Sequence, residues 1–132
     1  MARKSILIVE DDESIREVLQ ELFEGQGYPV LLADHGRAAL DYLKLGSTPK
    51  PGLILLDPMM PVMDGQTFLS ELQRNHPEIL ADIPIFIMTA AVGDISRLII
   101  KTTGFMKKPL ELEELRRIAK QYCVSSDAET II

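Results

Sequence analysis

The chain has 132 residues, of which 46% are hydrophobic and 26% are charged, and its formal net charge is −6. This composition is ordinary for one globular domain. The acidic balance argues against non-specific nucleic-acid binding and against a polybasic membrane-binding patch. We find no stretch near the roughly 20 apolar residues of a membrane helix. The apolar run after Arg3 and Lys4 meets acidic residues too soon to be a signal peptide.

The one cysteine, Cys123, has no partner within the chain for a disulfide, which is typical of a reducing compartment. We therefore expect a cytoplasmic protein. We also expect residues 1–124 to form the domain and residues 125–132 to form a flexible tail, because that tail is mostly polar.

In the first part of the chain, short apolar runs alternate with stretches of helical periodicity. Residues 5–9 and 28–33 predict two strands. Between them the periodicity predicts a helix over residues 15–24, which Ser14 can cap. A second helix, with inward-facing apolar residues between Ala38 and Leu43, follows the second strand.

The apolar run 53–56 does not alternate, so it predicts a strand buried on both faces, as in a parallel sheet. It ends at Asp57 because Pro58 disfavours continued regular structure. Next come a predicted helix over 66–75, a strand over 83–88 that ends at Thr89, a short strand at 105–106 and a last helix over 112–123. Strands that alternate with helices indicate an α/β fold with a parallel sheet and helices on both faces.

Several chemically active side chains follow the predicted strands, and the carboxyl ends of parallel strands share one edge of a sheet. They are Glu10, Asp11 and Asp12 after the first strand, Asp57 after the third, Thr89 at the end of the fourth and Lys108 after the fifth. Clustered carboxylates with oxygen ligands alone suit Mg²⁺. With a lysine and a hydroxyl group, they would bind a phosphoryl group carried on a carboxylate. The simpler alternatives are that Asp57 is a turn residue and that the three acids are solvated charges at a helix start.

Five segments resemble the receiver domain of two-component response regulators. In chain order they are ILIVEDDESIR, ADHGRAAL, LILLDPMMPVMDG, IPIFIMTA and FMKKPL. The resemblance extends from about residue 5 to about residue 123. It implies a flavodoxin-like, doubly wound sheet of five parallel strands in the order 2-1-3-4-5.

The resemblance implies that Asp57 is the phosphoacceptor. It implies that Mg²⁺ is bound by Asp11, Asp57 and the backbone carbonyl of Met59, with Glu10 acting through water. The acidic pair could be Glu10 and Asp11 or Asp11 and Asp12. In the family an arginine commonly lies five residues after the metal-binding acid. Arg16 therefore favours Asp11, which leaves Asp12 as an extra surface acid.

The resemblance also implies roles for three residues in the last third of the chain. Thr89 corresponds to the switch hydroxyl, Phe105 to the switch aromatic residue and Lys108 to the phosphate-binding lysine. Phe105 could instead be an ordinary core residue. The Lys108–Pro109 peptide bond is expected to be cis.

One feature departs from the family pattern. Lys108 lies only 19 positions after Thr89, which is about one helical turn fewer than usual. The intervening segment contains Gly93 and several β-branched residues, so its helix propensity is weak. We predict that the fourth helix of the family pattern, between residues 91 and 103, is shortened or irregular.

These features predict a single-domain response regulator of a two-component phosphorelay. It would receive a phosphoryl group on Asp57 from a histidine kinase or phosphotransfer protein, and it would signal to an unknown downstream protein by contact. It would not be a turnover enzyme, because Met59 stands where aspartate-based phosphatases carry a second aspartate. The alternative is a pseudo-receiver interaction module that binds its partner independently of phosphorylation.

Overall fold

The computed structural model describes residues 3–44, 49–59, 63–90 and 103–124. Five strands form one sheet: β1 (Ile6–Val9), β2 (Val30–Ala33), β3 (Leu53–Leu56), β4 (Ile85–Thr89) and β5 (Gly104–Lys107). All of the strand pairs are parallel, and the spatial order is β2-β1-β3-β4-β5. The predicted flavodoxin-like order 2-1-3-4-5 is confirmed.

Five helices are present among the described residues: α1 (Glu13–Gly25), α2 (Gly36–Lys44), α3 (Gly65–Asn75), α4 (Pro77–Asp82) and α5 (Leu112–Cys123). None of these helices has the length and apolar character needed to cross a bilayer. The helix predicted between residues 91 and 103 lies outside the described residues, as does the predicted tail at 125–132.

The sheet is covered on both faces, which explains why β1 and β3 lack an alternating pattern. Leu7 and Val9 of β1 pack into one core with side chains from α2, α3 and α4. Ile6 and Ile8 pack into the other core with side chains from α1 and α5. Successive strand residues point to opposite faces, so a strand between two helical layers must be apolar at every position.

The structure corrects the predicted start of the first helix. Its cap is Asp12, whose Oδ1 accepts hydrogen bonds from the backbone N–H groups of Ser14 (2.9 Å) and Ile15 (3.2 Å). Ser14 therefore lies inside the first turn and is not the cap. An aspartate caps as well as a serine, so the neighbouring candidates could not be separated by residue type.

The short helix α4 was not predicted. Pro77 follows the end of α3 and serves as the first residue of α4. Proline suits this position because its missing N–H would have no partner in the first turn. Ile79 of α4 is buried in the core beside α3, so packing stabilises a segment too short to be recognised by periodicity.

Candidate functional site

The acidic residues are held at the carboxyl edge of the sheet by backbone hydrogen bonds that extend the strand pairing. The Asp57 N–H donates to the Val9 carbonyl at 2.9 Å, and the Glu10 N–H donates to the Ala33 carbonyl at 3.0 Å. These bonds are formed one residue beyond the ends of β1 and β3. Both side chains are therefore attached to rigid backbone at the centre of the sheet.

Glu10, Asp11 and Asp57 form one cluster, in which a carboxylate oxygen of each residue lies within 4.8 Å of those of the other two. Glu10 is fully buried and Asp57 is 6% exposed, whereas Asp11 is exposed to solvent. The cluster thus combines two buried acids with one acid that is accessible to solvent. Asp12 is outside this cluster and caps α1 instead.

Arg16 supports the turn that carries the two acids. One guanidinium nitrogen donates to the backbone carbonyls of Glu10 (2.9 Å) and Asp11 (3.3 Å). Arg16 contacts the backbone, so it stabilises the conformation of this turn. It does not neutralise the carboxylate side chain of Glu10 or Asp11. The Asp12 N–H also donates to Glu10 Oε2 at 3.3 Å, which holds the buried carboxylate from the other side.

Lys108 reaches the cluster from the strand at the edge of the sheet. Its ammonium nitrogen lies 3.3 Å from Glu10 Oε1 and 3.7 Å from Asp57 Oδ2. The Lys108 N–H donates to the Thr89 carbonyl at 2.7 Å, which extends the pairing of β5 with β4 past Lys107. Lys107 is an exposed strand residue, and the Lys108–Pro109 peptide bond is cis.

Burial is the main cause that raises the pKa of Glu10 from its ordinary value of 4.5 to about 8. A hydrogen bond with Asp57 and the negative charge of that neighbour act in the same direction. The positive charge of Lys108 and the backbone N–H of Asp12 act against them. The single positive charge of Lys108 therefore does not balance the negative charge of the buried carboxylates. Such an excess of negative charge favours binding of a divalent cation.

The donor set fits Mg²⁺. The ligand atoms of the cluster are all carboxylate oxygens, and Asp11 is exposed, so water and a phosphate oxygen can reach the cluster from solvent. Met59 lies two residues after Asp57, and its N–H donates to Asp57 Oδ1 at 3.0 Å, so its backbone is held beside the same carboxylate.

The two expected switch residues lie on the neighbouring strands. Thr89 ends β4 and is buried. Phe105 lies on β5, opposite Ile87, and half of its surface is exposed. Phe105 is therefore not a buried core residue in this conformation.

An apolar groove beside the site was missed in the sequence. It has a volume of about 540 Å³ and is lined by residues of α1 and the start of α5, together with Lys108 and Pro109. Its walls include Ile15, Val18, Leu22, Leu110, Leu112 and Leu115. Helical periodicity places Val18 on the apolar face of α1, but this residue is 65% exposed. Periodicity identifies an apolar face without showing whether a neighbouring element covers all of it.

A doubly wound parallel sheet that carries an acidic cluster, a lysine and a threonine at its carboxyl edge defines a class of α/β protein suited to phosphate chemistry. The model of the response regulator receiver domain matches residues 6–120. The chain belongs to this receiver domain family.

Individual response regulators are also similar to this chain in sequence. Response regulator MprA of Mycolicibacterium vanbaalenii is 35% identical over 113 residues, which cover 83% of this chain and 46% of MprA. The chain thus spans about half the length of such relatives.

Solved structures are similar over nearly the whole chain. The receiver domain of a signal transduction histidine kinase from Syntrophus aciditrophicus has a TM-score of 0.77 and 31% identity, covering 90% of this chain and 89% of that one. The receiver domain of sensor histidine kinase PA1611 from Pseudomonas aeruginosa PAO1 has a TM-score of 0.78 and 27% identity, covering 92% of this chain and 98% of that one. The latter has a magnesium ion coordinated in its active-site cleft.

Proposed function

We propose that this chain is a phosphorylatable receiver that accepts a phosphoryl group on Asp57 and signals through protein–protein contact. One observation carries the proposal: the Asp57 carboxylate is shared between the Lys108 ammonium, at 3.7 Å, and an acidic cluster suited to a divalent cation. A nucleophilic carboxylate is thereby placed beside groups of the charge that a phosphoryl group requires.

In the proposed transfer, an Asp57 oxygen forms a bond to phosphorus as the phosphorus–nitrogen bond of a phosphohistidine breaks. The electron pair of that bond returns to the imidazole, which takes up a proton. Mg²⁺, bound by Asp11, Asp57 and the Met59 carbonyl with Glu10 acting through water, would supply positive charge to the phosphate oxygens. Lys108 would supply a second positive charge and Thr89 a hydroxyl donor on the other side.

A receiver needs a second packing arrangement to transmit this event. Thr89 and Phe105 lie on neighbouring strands, and Phe105 is half exposed. We infer that movement of Thr89 toward the phosphoryl group favours an inward rotation of Phe105, which changes the surface around β4 and β5. Phosphorylation would shift the balance between two conformations and thereby change affinity for a downstream protein.

The phosphodonor would be a histidine kinase or phosphotransfer protein, and the apolar groove between α1 and α5 is a suitable docking surface for a helix of that donor. Lys108 is one of the residues that line the groove, so a helix lying in it would approach the phosphorylation site. Exposed Glu13, Glu17 and Glu21 on α1 favour a donor helix with basic flanks.

The direct test is incubation with acetyl phosphate and Mg²⁺, followed by intact-mass measurement. We expect one hydroxylamine-sensitive phosphoryl group on the wild type and none on Asp57→Asn. The exposed Asp41→Asn variant is the matched control and should be labelled like the wild type. Absence of label on the wild type, or equal labelling of Asp57→Asn, would contradict the proposal.

A further experiment separates the groove from the chemistry. Val18→Glu should slow transfer from a phosphorylated phosphotransfer protein by about tenfold or more, because it puts a charge in the apolar groove. Its labelling by acetyl phosphate should be unchanged. Equal slowing with both donors would show that Val18 acts on the site and not on docking.

A further inference from the structure

We propose that Gly36 is a positioning residue for the phosphorylation site, because its missing side chain allows Met63 to hold the loop after β3 in place. This inference rests on the proposed phosphorylation of Asp57. Gly36 is the buried first residue of α2. A Cβ atom there would lie 2.8 Å from the Met63 carbonyl oxygen and 2.9 Å from Met63 Cγ. The first of these atoms belongs to the backbone, so a rotamer change alone would not make room.

The segment that contains Met63 is connected to the phosphoacceptor by a short series of contacts. Two residues after Met63, the Gly65 N–H donates to the Pro58 carbonyl at 3.0 Å, which brings the two ends of the loop together. Pro58 lies between Asp57 and Met59, and the Met59 N–H donates to Asp57 Oδ1 at 3.0 Å. A shift at Met63 is therefore passed to Asp57, which presents the carboxylate, and to Met59, whose backbone carbonyl would bind Mg²⁺.

The start of α2 is held by a side-chain hydrogen bond and by burial in the core. His35 Nδ1 accepts the Ala38 N–H at 3.1 Å, and Ala39 and Leu40 are buried in the core. The preceding strand is also tied to the site, because the Ala33 carbonyl accepts the Glu10 N–H. A displacement of α2 would therefore reach Glu10, so either way of relieving the clash disturbs the acidic cluster.

Gly52 provides a matched control at the opposite end of the sheet. A Cβ atom there would lie 2.7 Å from Lys4 Cβ and 3.0 Å from the Tyr122 carbonyl oxygen. The clash is as severe as at Gly36, but Gly52 precedes β3 while Asp57 follows it. A second control is Gly25, where an added Cβ would have no atom within 4 Å.

The experiment measures Mg²⁺ affinity by calorimetry and urea unfolding in EDTA for Gly36→Ala, Gly52→Ala and Gly25→Ala. Displacing a group that supports metal ligands typically weakens affinity by 10–100-fold, so we expect the Mg²⁺ dissociation constant of Gly36→Ala to rise about tenfold. Labelling by acetyl phosphate at limiting Mg²⁺ should fall in proportion and recover as Mg²⁺ is raised. Gly52→Ala should lose stability and keep the wild-type Mg²⁺ affinity. Gly25→Ala should also keep that affinity and should lose no stability, because alanine is favoured over glycine in a helix.

Equal loss of stability in Gly36→Ala and Gly52→Ala, with wild-type Mg²⁺ affinity in both, would overturn the inference. If Gly36→Ala does not fold, Met63→Ala decides, because it removes the Met63 side chain beyond Cβ from beside Gly36 while it leaves the backbone carbonyl in place. Its Mg²⁺ affinity should also fall, and a wild-type value would be contrary to the inference. A wild type that neither binds Mg²⁺ nor becomes labelled would instead contradict the proposed function itself.

Discussion

The ammonium of Lys108 lies 3.3 Å from Oε1 of Glu10, a carboxyl group that is fully buried. The two residues are 98 positions apart in the chain. Their contact joins the end of β1 to the end of β5, the strand at one edge of the sheet, and leaves the total charge of the site negative. The site therefore costs stability in the metal-free protein, and cation binding would recover part of that cost.

Glu10→Gln should stabilise the metal-free protein at alkaline pH. The pKa of Glu10 is about 8 in the folded protein but near 4.5 when exposed, so the unfolded chain loses this proton at lower pH. The stability associated with the bound proton is complete below pH 4.5 and is lost as the pH rises through 8. In EDTA, we expect the free energy of unfolding of the variant to equal that of the wild type at pH 4.5. At pH 8 it should exceed the wild-type value by on the order of 1–3 kcal/mol.

Urea unfolding across this pH range is the measurement. The exposed Glu17→Gln variant controls for the change of charge and should follow the wild-type curve. Parallel curves for Glu10→Gln and the wild type would show that Glu10 titrates normally.

Asp11→Asn should remove the stabilisation that Mg²⁺ provides. A ligand that binds only the folded state stabilises it by about 2.7 kcal/mol at 100 times its dissociation constant, and the wild type should show a rise in melting temperature with Mg²⁺. We expect little or no rise in Asp11→Asn. Asp12→Asn is the adjacent control: it should keep the full response, because Asp12 is outside the cluster and asparagine caps a helix as well as aspartate.

Asp12→Ala should lower the free energy of unfolding by about 1 kcal/mol, since it removes the side chain that accepts two N–H groups at the start of α1. Ser14→Ala should change it by less than about 0.5 kcal/mol, because only the backbone of Ser14 takes part in the cap. Urea unfolding of the two variants checks this. A larger loss for Ser14→Ala would mean that the cap is misassigned.

Cys123 should not react with an aromatic disulfide reagent in the folded protein at pH 8. Burial raises the pKa of this thiol to about 12, and the thiolate is the reactive form. The Cys123 sulfur also lies 3.9 Å from the Ser5 carbonyl oxygen, on the inner side of α5. One equivalent should react rapidly in concentrated urea, whereas rapid reaction without denaturant would show that α5 opens readily.

The amino-acid sequence was sufficient to predict the α/β class and the order of nearly all of the elements. The non-alternating runs of β1 and β3 and the helical period of α5 are local patterns, and each results from the layer that the element occupies. The acids after β1, Asp57 after β3 and Lys108 after β5 could be assigned to one edge, because parallel strands bring their carboxyl ends together. The strand order came from the resemblance to receiver domains.

Only the tertiary structure decided which of three consecutive acids is buried, which one caps α1 and which side chain Lys108 contacts. Glu10, Asp11 and Asp12 have the same charge and similar propensities, so their environments differ only after the helices cover the sheet. The short helix α4 and the close approach of Met63 to Gly36 were hidden for the same reason. Burial and contact between distant segments depend on how the whole chain packs, and no local pattern records them.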